Sequence, residues 1–441
     1  MTISDPANLL SAGFEILPKP QSQTRAIAAT YSIKYLRLAR YFQAHSAKLK
    51  LPVFGLYQDF QNTVSVTLKF RHGITQQSTV NITTPAFDGG TYTNPTIVQP
   101  RVRDTTISYD FILLKGFATD DTPIIIDSDG EVRWTGMAHR GGKQALLFRN
   151  GIYVSAATSL VRLEFDGRSQ TLMDYSDIGV VGFNHNFDYG RDGIVMDVDM
   201  SDLPEAVNIE VDGDGKVLHT WNLQDIITDA MIAGGDDPSD FVFPGRIWFH
   251  NNATAYRPSD DSLIVSSREN FVIALDHDSN AIKWILGDPT KHWHDYPSLR
   301  AFALTLGPDT LPPIGQHAVS IVADQLLLFD DGQQSAIEVP AGEQRTYSAP
   351  RKYAIAGGTA TEVWHYLANP PIFSPLCSSV YEDAPDNYLI DYTLAGPYVS
   401  TDIVGLDANG SIAFYYSYEE LNKCGTALYA NPIHLENLLF N

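Results

Sequence analysis

Cysteine is scarce in this chain: only Cys377 and Cys424 occur among 441 residues, so no disulfide framework organises the fold. Spacing alone leaves open whether those two are joined. Long apolar runs are also missing. No stretch has the roughly 18 consecutive apolar residues of a membrane-spanning helix, so no membrane association is expected. Met1 to Gln21 lacks the basic start and apolar run of an export signal, although a processed chain would look the same. Positive charge is in deficit, with 30 Lys and Arg against 52 Asp and Glu and a net charge of −22. This disfavours nucleic acids and anionic membrane surfaces as partners, but admits a small anion received by a local basic pocket. Neither GxxxxGK[ST] nor a strand-linked GxGxxG occurs, so a nucleotide donor or dinucleotide has no cradle, and no cofactor is expected. GxSxG is absent as well, which disfavours a lipase-type serine nucleophile.

What the chain does contain is strand-forming sequence. Hydrophobic residues make up 44% and charged residues 19%, as in a folded protein with a sizeable core. Short runs rich in Val, Ile, Tyr, Phe and Thr alternate with Asp, Gly, Asn and Pro turns. Helical patterning is confined to Asn222 to Ile232 and, with competition from aromatic and β-branched residues, Ile33 to Leu49.

Internal similarity sets the architecture. Six units share an apolar run, a turn of Asp, Asn or Gly, and a second apolar or aromatic run: Ile124 to Trp134, Val161 to Tyr175, Val207 to Trp221, Val272 to Trp284, Tyr353 to Tyr366 and Ile403 to Tyr416. Their Asp-Gly, Gly-Gly and Asn-Gly pairs tolerate the positive backbone angles of tight hairpins. Between them lies a second series: Gln144 to Ser155, His185 to Val198, His250 to Ser267, His317 to Phe329, and Ser378 to Tyr392. Two hairpins per repeat predict four-stranded blades, and six blades predict an all-β six-bladed β-propeller. A β-sandwich or a large mixed sheet is the competing architecture. Insertions are expected around Asp236-Asp237 and over Pro289 to Pro313. Residues 1–101 lack the hairpin signature but alternate in Val64 to Phe70 and Ser78 to Thr84, which predicts a small β-sandwich-like domain before a propeller over residues 102–441. Asn94 to Arg103 is the expected linker. The acidic turns at 127–130 and 212–215 lack the ligand series of a calcium loop and are read as solvated hairpin turns.

Three histidines share one phase of successive repeats: His185 in GFNHNFDY, His250 in GRIWFHNNA and His317 in PIGQHAVSIV. First strands of propeller blades line the axis, so equal phase predicts one cluster. Asn252 falls on the same face as His250, and Arg268 ends the partner strand as the natural anion anchor. Cys377 and Ser378 open the corresponding strand of a later blade. A lone histidine is more often a surface or satisfied core residue. Three imidazoles plus water also form a catalytic zinc arrangement. Arg268 weighs against a metal and for an oxyanion, so no metal site is expected.

With those segments in view, the chain resembles the arylsulfate sulfotransferases. The likeness lies in VFGLYQDF (Val53 to Phe60), GRIWFHNNATAYRPSDDSLIVSSREN (Gly245 to Asn270), KWILGDP (Lys283 to Pro289) and QHAVSIVADQLLLFDDG (Gln316 to Gly332). It implies a six-bladed propeller with an amino-terminal β-domain, usually exported and often a homodimer. It also implies sulfuryl transfer from an aryl sulfate donor to a phenol acceptor with no nucleotide donor. Position by position, the resemblance makes His317 the nucleophile and His185 the acid/base, with His250, Asn252 and Arg268 as the sulfuryl-binding group. Cys377 takes the place of the family's threonine, with Ser378 beside it, and Tyr429 corresponds to a carboxyl-terminal tyrosine. Trp248 and Tyr429 are candidates to stack on the aryl ring or, equally, to pack the blades. A family member turned to another leaving-group reaction on phenols, and a non-catalytic interaction propeller, are the alternative readings.

Overall fold

Alternation dictates the outer strands. In Gln61–Phe70 the side chains of Asn62, Val64, Val66, Leu68 and Phe70 are buried and the intervening ones are not. Runs with no alternation, such as Phe111–Lys115, Ser262–Ser267 and Asn387–Ala395, are buried on both faces as interior strands. The computed structural model describes residues 1–103, 105–116, 123–136, 144–397, 399–420, 424, 427 and 429–441.

Six antiparallel blades surround an axis, and the chain is an all-β propeller. The second blade is Ala145–Phe148, Gly151–Ala156, Ser159–Leu163 and Ser169–Asp174. The third is Val180–Tyr189, Ile194–Met200, Leu203–Val211 and Val217–Asn222. The fourth is Asn251–Arg257, Ser262–Ser267, Phe271–Asp276 and Ile282–Gly287. His317–Val322, Gln325–Asp330, Ala349–Ala356 and Thr359–His365 make the fifth, with Thr305–Leu306 added in parallel at its outer edge. The sixth contains Ser379–Ala384, Asn387–Ala395, Ser400–Leu406 and Ile412–Glu419.

The first blade is made from both ends of the chain. Val132–Thr135, Ile124–Asp127 and Phe111–Lys115 pair in that order, and Tyr429–Ile433 adds the fourth, axial strand. This explains why the sequence offers six outer hairpins but only five inner ones. The boundary expected near Arg101 is crossed in both directions: Thr96–Gln99, inside the expected linker, pairs with Ile412–Glu419 on the sixth blade. Leu438–Phe440 runs parallel to Ile27–Ser32 in the amino-terminal sheet.

That sheet orders Leu438–Phe440, Ile27–Ser32, Leu9–Ile16, Gln61–Phe70 and Thr75–Thr83. Its buried face shares a core with the first and second blades, where Phe54 stacks on Phe165 with centroids 4.4 Å apart. Each phenylalanine so buried contributes about 1.5–3 kcal/mol. The acidic turns bond their carboxylates to backbone donors, but the reading of 127–130 as solvated is corrected: Asp127 and Ser128 are buried, and Asp127 Oδ2 pairs with Arg133 Nη1 at 2.8 Å. Asp127 Oδ1 accepts from the Asp129 and Glu131 N–H groups, and Asp212 Oδ1 from those of Asp214 and Lys216.

Leu223–Gly234 is helical, capped by Asn222 and ended by Gly235, and buries Leu223, Ile227 and Met231. The helix expected over Ile33 to Leu49 is corrected to Ile33–Leu38 alone. Arg40 enters the left-handed region with φ 61°, and Phe42–Gln43 pairs as a strand with Lys48–Leu49. Phe42 thus follows its strand preference rather than the helical pattern.

Candidate active site

Three interrupted ladders aim three imidazoles at the axis. Pairing in the third blade breaks between Phe183 and Phe187, around His185. The fourth breaks between Asn251 and Ala253, and the fifth between His317 and Ser320. Bulges of this kind bend a strand and re-aim its side chains. His250, with φ 56°, and Ala318, with φ 52°, sit in the left-handed region at two of these breaks. The His185 ring centroid lies 4.9 Å from that of His250 and 6.0 Å from that of His317, so the three occupy one site.

Each imidazole has a carboxylate behind it. Asp331 Oδ2 is 2.7 Å from His317 Nδ1, and Glu205 Oε2 is 3.1 Å from His250 Nδ1. Asp197 accepts the backbone N–H of His185 at 3.3 Å, with its Oδ2 4.0 Å from His185 Nδ1. Asp197 also takes a 3.0 Å bond from Asn251 Nδ2, which ties the third blade to the fourth.

His317 is set by the residues just before and after its hairpin. Gly315, with φ 61°, turns its carbonyl onto His317 Nδ1 at 3.0 Å. A Cβ at Gly315 would lie 2.7 Å from the Gln333 carbonyl oxygen, so glycine is required there. A carbonyl only accepts, so Nδ1 carries the proton and Nε2 keeps its lone pair. Nε2 is buried and has no hydrogen-bond partner among the described residues. The following Asp330 accepts from the Ile314 and Gly332 N–H groups and pairs with Arg345 and Arg351, fixing the loops on either side of the histidine.

Burial and the nearby Arg268 charge depress the imidazoles: His250 and His317 each fall to about 3. His185 is held well below its ordinary value by burial, by the other two histidines and by Arg268. All three are therefore uncharged at neutral pH. Burial pushes the Asp331 carboxyl well up, against the opposing pull of Arg268, and raises Glu205 to about 7. Arg268 is itself buried, and its backbone N–H bonds to His250 O at 3.0 Å. Its Nη1 meets Glu269, whereas its Nε has no partner among the described residues. Asn252 is fully buried and donates through Nδ2 to Gln316 O at 2.7 Å, bracing the residue before His317, and its Oδ1 is unpartnered among the described residues. Uncharged imidazoles around one guanidinium suit a tetrahedral oxyanion that is also open to attack by nitrogen. Among the described residues, no group of three or more His, Cys, Asp and Glu side chains is arranged to hold a metal ion.

A sequence profile of the arylsulfotransferase (ASST) family matches residues 96–424 of this chain. The chain belongs to the arylsulfotransferase family. A profile of the arylsulfotransferase Ig-like domain matches residues 7–85. Arylsulfate sulfotransferase AssT of Escherichia coli O6:H1 is 24% identical over 464 positions, covering 78% of this chain and 75% of that protein. The protein of the same name from Lelliottia amnigena is 28% identical over 204 positions, covering 36% of this chain and 34% of its own length. Among solved structures, the quinohemoprotein alcohol dehydrogenase ADHIIG of Pseudomonas putida HK5 aligns at a TM-score of 0.33 and 10% identity, over 72% of this chain and 45% of that one.

In this arylsulfotransferase-family chain, His185, His250, His317 and Arg268 come together, and Asn252 braces them. Other expected site residues play different parts. Cys377, in the place of the family's threonine, is joined to Cys424 with Cα atoms 5.6 Å apart, so its sulfur has no hydrogen to give. Ser378 Oγ is fully buried and engaged by Ser374 Oγ at 2.6 Å and the Thr393 N–H at 3.2 Å. Tyr429 is fully buried, donating to Asn252 O at 2.8 Å beneath Lys115 Nζ, 5.5 Å from its ring. Ala318, Cys377 and Tyr429 form one small core behind His317. Trp248 is buried against Phe241 and Phe249 and is a packing residue rather than a stacking surface.

Asp197, Asp331 and Glu205 were not singled out from the sequence. Asp331 and Arg268 directly follow the second strands of their blades and Asp197 lies within that of the third, all facing the histidines, so the phase that found the first strands extends to them. Glu205 has no such signal. It reaches His250 from a third strand, at a residue with φ 52°.

Proposed function

We propose that this protein moves a sulfuryl group from a phenolic sulfate ester to an acceptor phenol in two displacements through His317. The observation that carries the reading is the tautomer of His317: Gly315 O and Asp331 occupy the Nδ1 side, leaving a buried, uncharged Nε2 lone pair. In the first step that lone pair attacks sulfur, the sulfur–aryl oxygen bond breaks, and its electron pair leaves on the phenolate. His317 becomes a sulfoimidazolium whose positive ring lies against Asp331. Arg268, through its unpaired Nε–H, holds the sulfuryl oxygens, joined by His250 once the charge of the bound ester has protonated it; Asn252, with one amide hydrogen on Gln316, offers the second.

In the second step the acceptor hydroxyl attacks sulfur, the nitrogen–sulfur bond breaks, and His185 takes the phenolic proton. Burial and the neighbouring positive groups keep it unprotonated in the free site, so its lone pair is open to accept a proton. The proton so acquired goes to the next departing phenolate, which closes the proton balance. The bound ester brings negative charge that raises the imidazole pKa values toward the working range.

Incubation with 4-nitrophenyl sulfate and a phenol, followed by nitrophenol release and intact mass, tests the proposal. Turnover with a trapped adduct of one sulfuryl group that disappears in His317→Ala is expected. No turnover and no adduct would overturn it.

A further inference from the structure

Arg268 has a buried neighbour that the proposed reaction does not use. Glu269 binds Arg268 Nη1 through one carboxylate oxygen. Its other oxygen accepts from Ser335 Oγ at 2.6 Å and from the Ala336 N–H at 2.7 Å. The backbone at this point is fixed as well: buried Lys291 donates from Nζ to Glu269 O at 2.9 Å, and Asn270 Nδ2 donates to Trp248 O at 3.0 Å. Ser335 and Ala336 belong to the loop that joins the second and third strands of the fifth blade and begins with Asp331, the carboxyl group behind His317.

The arrangement divides the guanidinium into two edges. Glu269 engages Nη1, and the buried Nε has no partner among the described residues. Arginine presents its donors in a rigid planar fork, so fixing one edge sets the direction of the other. A long side chain left unheld would sample rotamers and present that fork only part of the time.

We propose that Glu269 is a positioning residue that clamps Arg268 so that its Nε edge faces the sulfuryl oxygens, in register with Asp331 and His317 through the Ser335–Ala336 loop. This rests on the reading of Arg268 as the oxyanion anchor. Glu269 touches no substrate itself. Its opposite charge alone would weaken anion binding, so clamping and neutralisation predict opposite effects of its removal.

Inorganic sulfate titrated calorimetrically into the full chain, with KM and kcat for 4-nitrophenyl sulfate, separates them. Glu269→Gln retains the shape and removes the charged clamp. Sulfate affinity is expected to fall, and KM to rise, about tenfold, with a smaller change in kcat. Ser335→Ala, which removes one donor to Glu269, shifts both in the same direction by less. Unchanged or tighter sulfate binding in Glu269→Gln overturns the clamp. Should Glu269→Gln fail to fold, Ser335→Ala decides alone: weaker binding supports the clamp and unchanged binding overturns it. Arg268→Ala is the control, because unchanged sulfate affinity there overturns the anchor role and the clamp with it.

Discussion

Replacing Asp331 by Asn probes the least exposed part of the site. Its Oδ2 lies 2.7 Å from His317 Nδ1, and both side chains are essentially buried. In the proposed first displacement positive charge grows on the imidazole, which favours ionisation of the buried Asp331 carboxyl beside it, so that side chain stabilises the transition state more than the ground state. A charge-assisted contact of this kind is worth about 1.5–3 kcal/mol, or about 10- to 150-fold in rate. In a serine-protease triad the comparable Asp→Asn change costs about 10⁴, because the wrong tautomer results. Here Gly315 O still holds the Nδ1 proton, so the smaller figure applies. The assay is the pre-steady-state burst of nitrophenol from 4-nitrophenyl sulfate. The burst rate should fall within that range while its amplitude and inorganic sulfate affinity hold. An unchanged burst rate would refute the reasoning, and a loss equal to that of His317→Ala would show that Asp331, not Gly315, selects the tautomer.

Because His317 falls to about 3, kcat/KM for 4-nitrophenyl sulfate should show no loss near pH 6.5 from protonation of this residue, and a pH–rate profile from 4 to 8 checks it. The same depressed groups, His250 included, bind protons more readily when unfolded, so their contribution to stability is complete above about pH 6.5 and is lost as pH falls toward 3; denaturant midpoints of His250→Gln should decline less steeply over that window. His434 is the reverse case, raised to about 10 by the hydrogen bonds it donates to Asp383 and Glu436; its contribution is full below about pH 6.5 and vanishes as pH passes 10, so wild type and His434→Gln should differ in Tm at pH 6 and converge above pH 10. The Cys377–Cys424 bridge closes a loop with a sequence separation of 47, and replacing both by Ala should lower stability by about 2–4 kcal/mol in denaturant melts. The sulfuryl adduct should still form, because no thiol acts in the reaction.

The repeat was legible because each outer hairpin spends its polar residues on a turn, as Asp127 and Asp212 do, and such turns are local. The histidines were legible because blades repeat, so equal phase becomes proximity. The closing strand Tyr429–Ile433 was not legible as part of the first blade, since its partner Phe111–Lys115 is some three hundred residues away and nothing local marks the pairing. Cys377, Ser378 and Tyr429 stand where expected in the chain, yet their polar groups are turned toward a second sulfur, a serine hydroxyl and neighbouring backbone, and Asn252 spends one amide hydrogen on Gln316 O. A side chain's partner depends on bulges and left-handed residues such as Cys377, at φ 66°, that period-two counting does not register.

The first blade's dependence on Tyr429–Ile433 also bears on the timing of synthesis. The histidines and Arg268 have all been made by residue 317, but the ring that gathers the blades around one axis cannot be joined until the last dozen or so residues follow. A ribosome-bound or truncated chain therefore has the reactive residues without the enclosure that withdraws them from water. A chain shortened before Tyr429 is therefore expected to lose reaction with an aryl sulfate even though it keeps every histidine of the site.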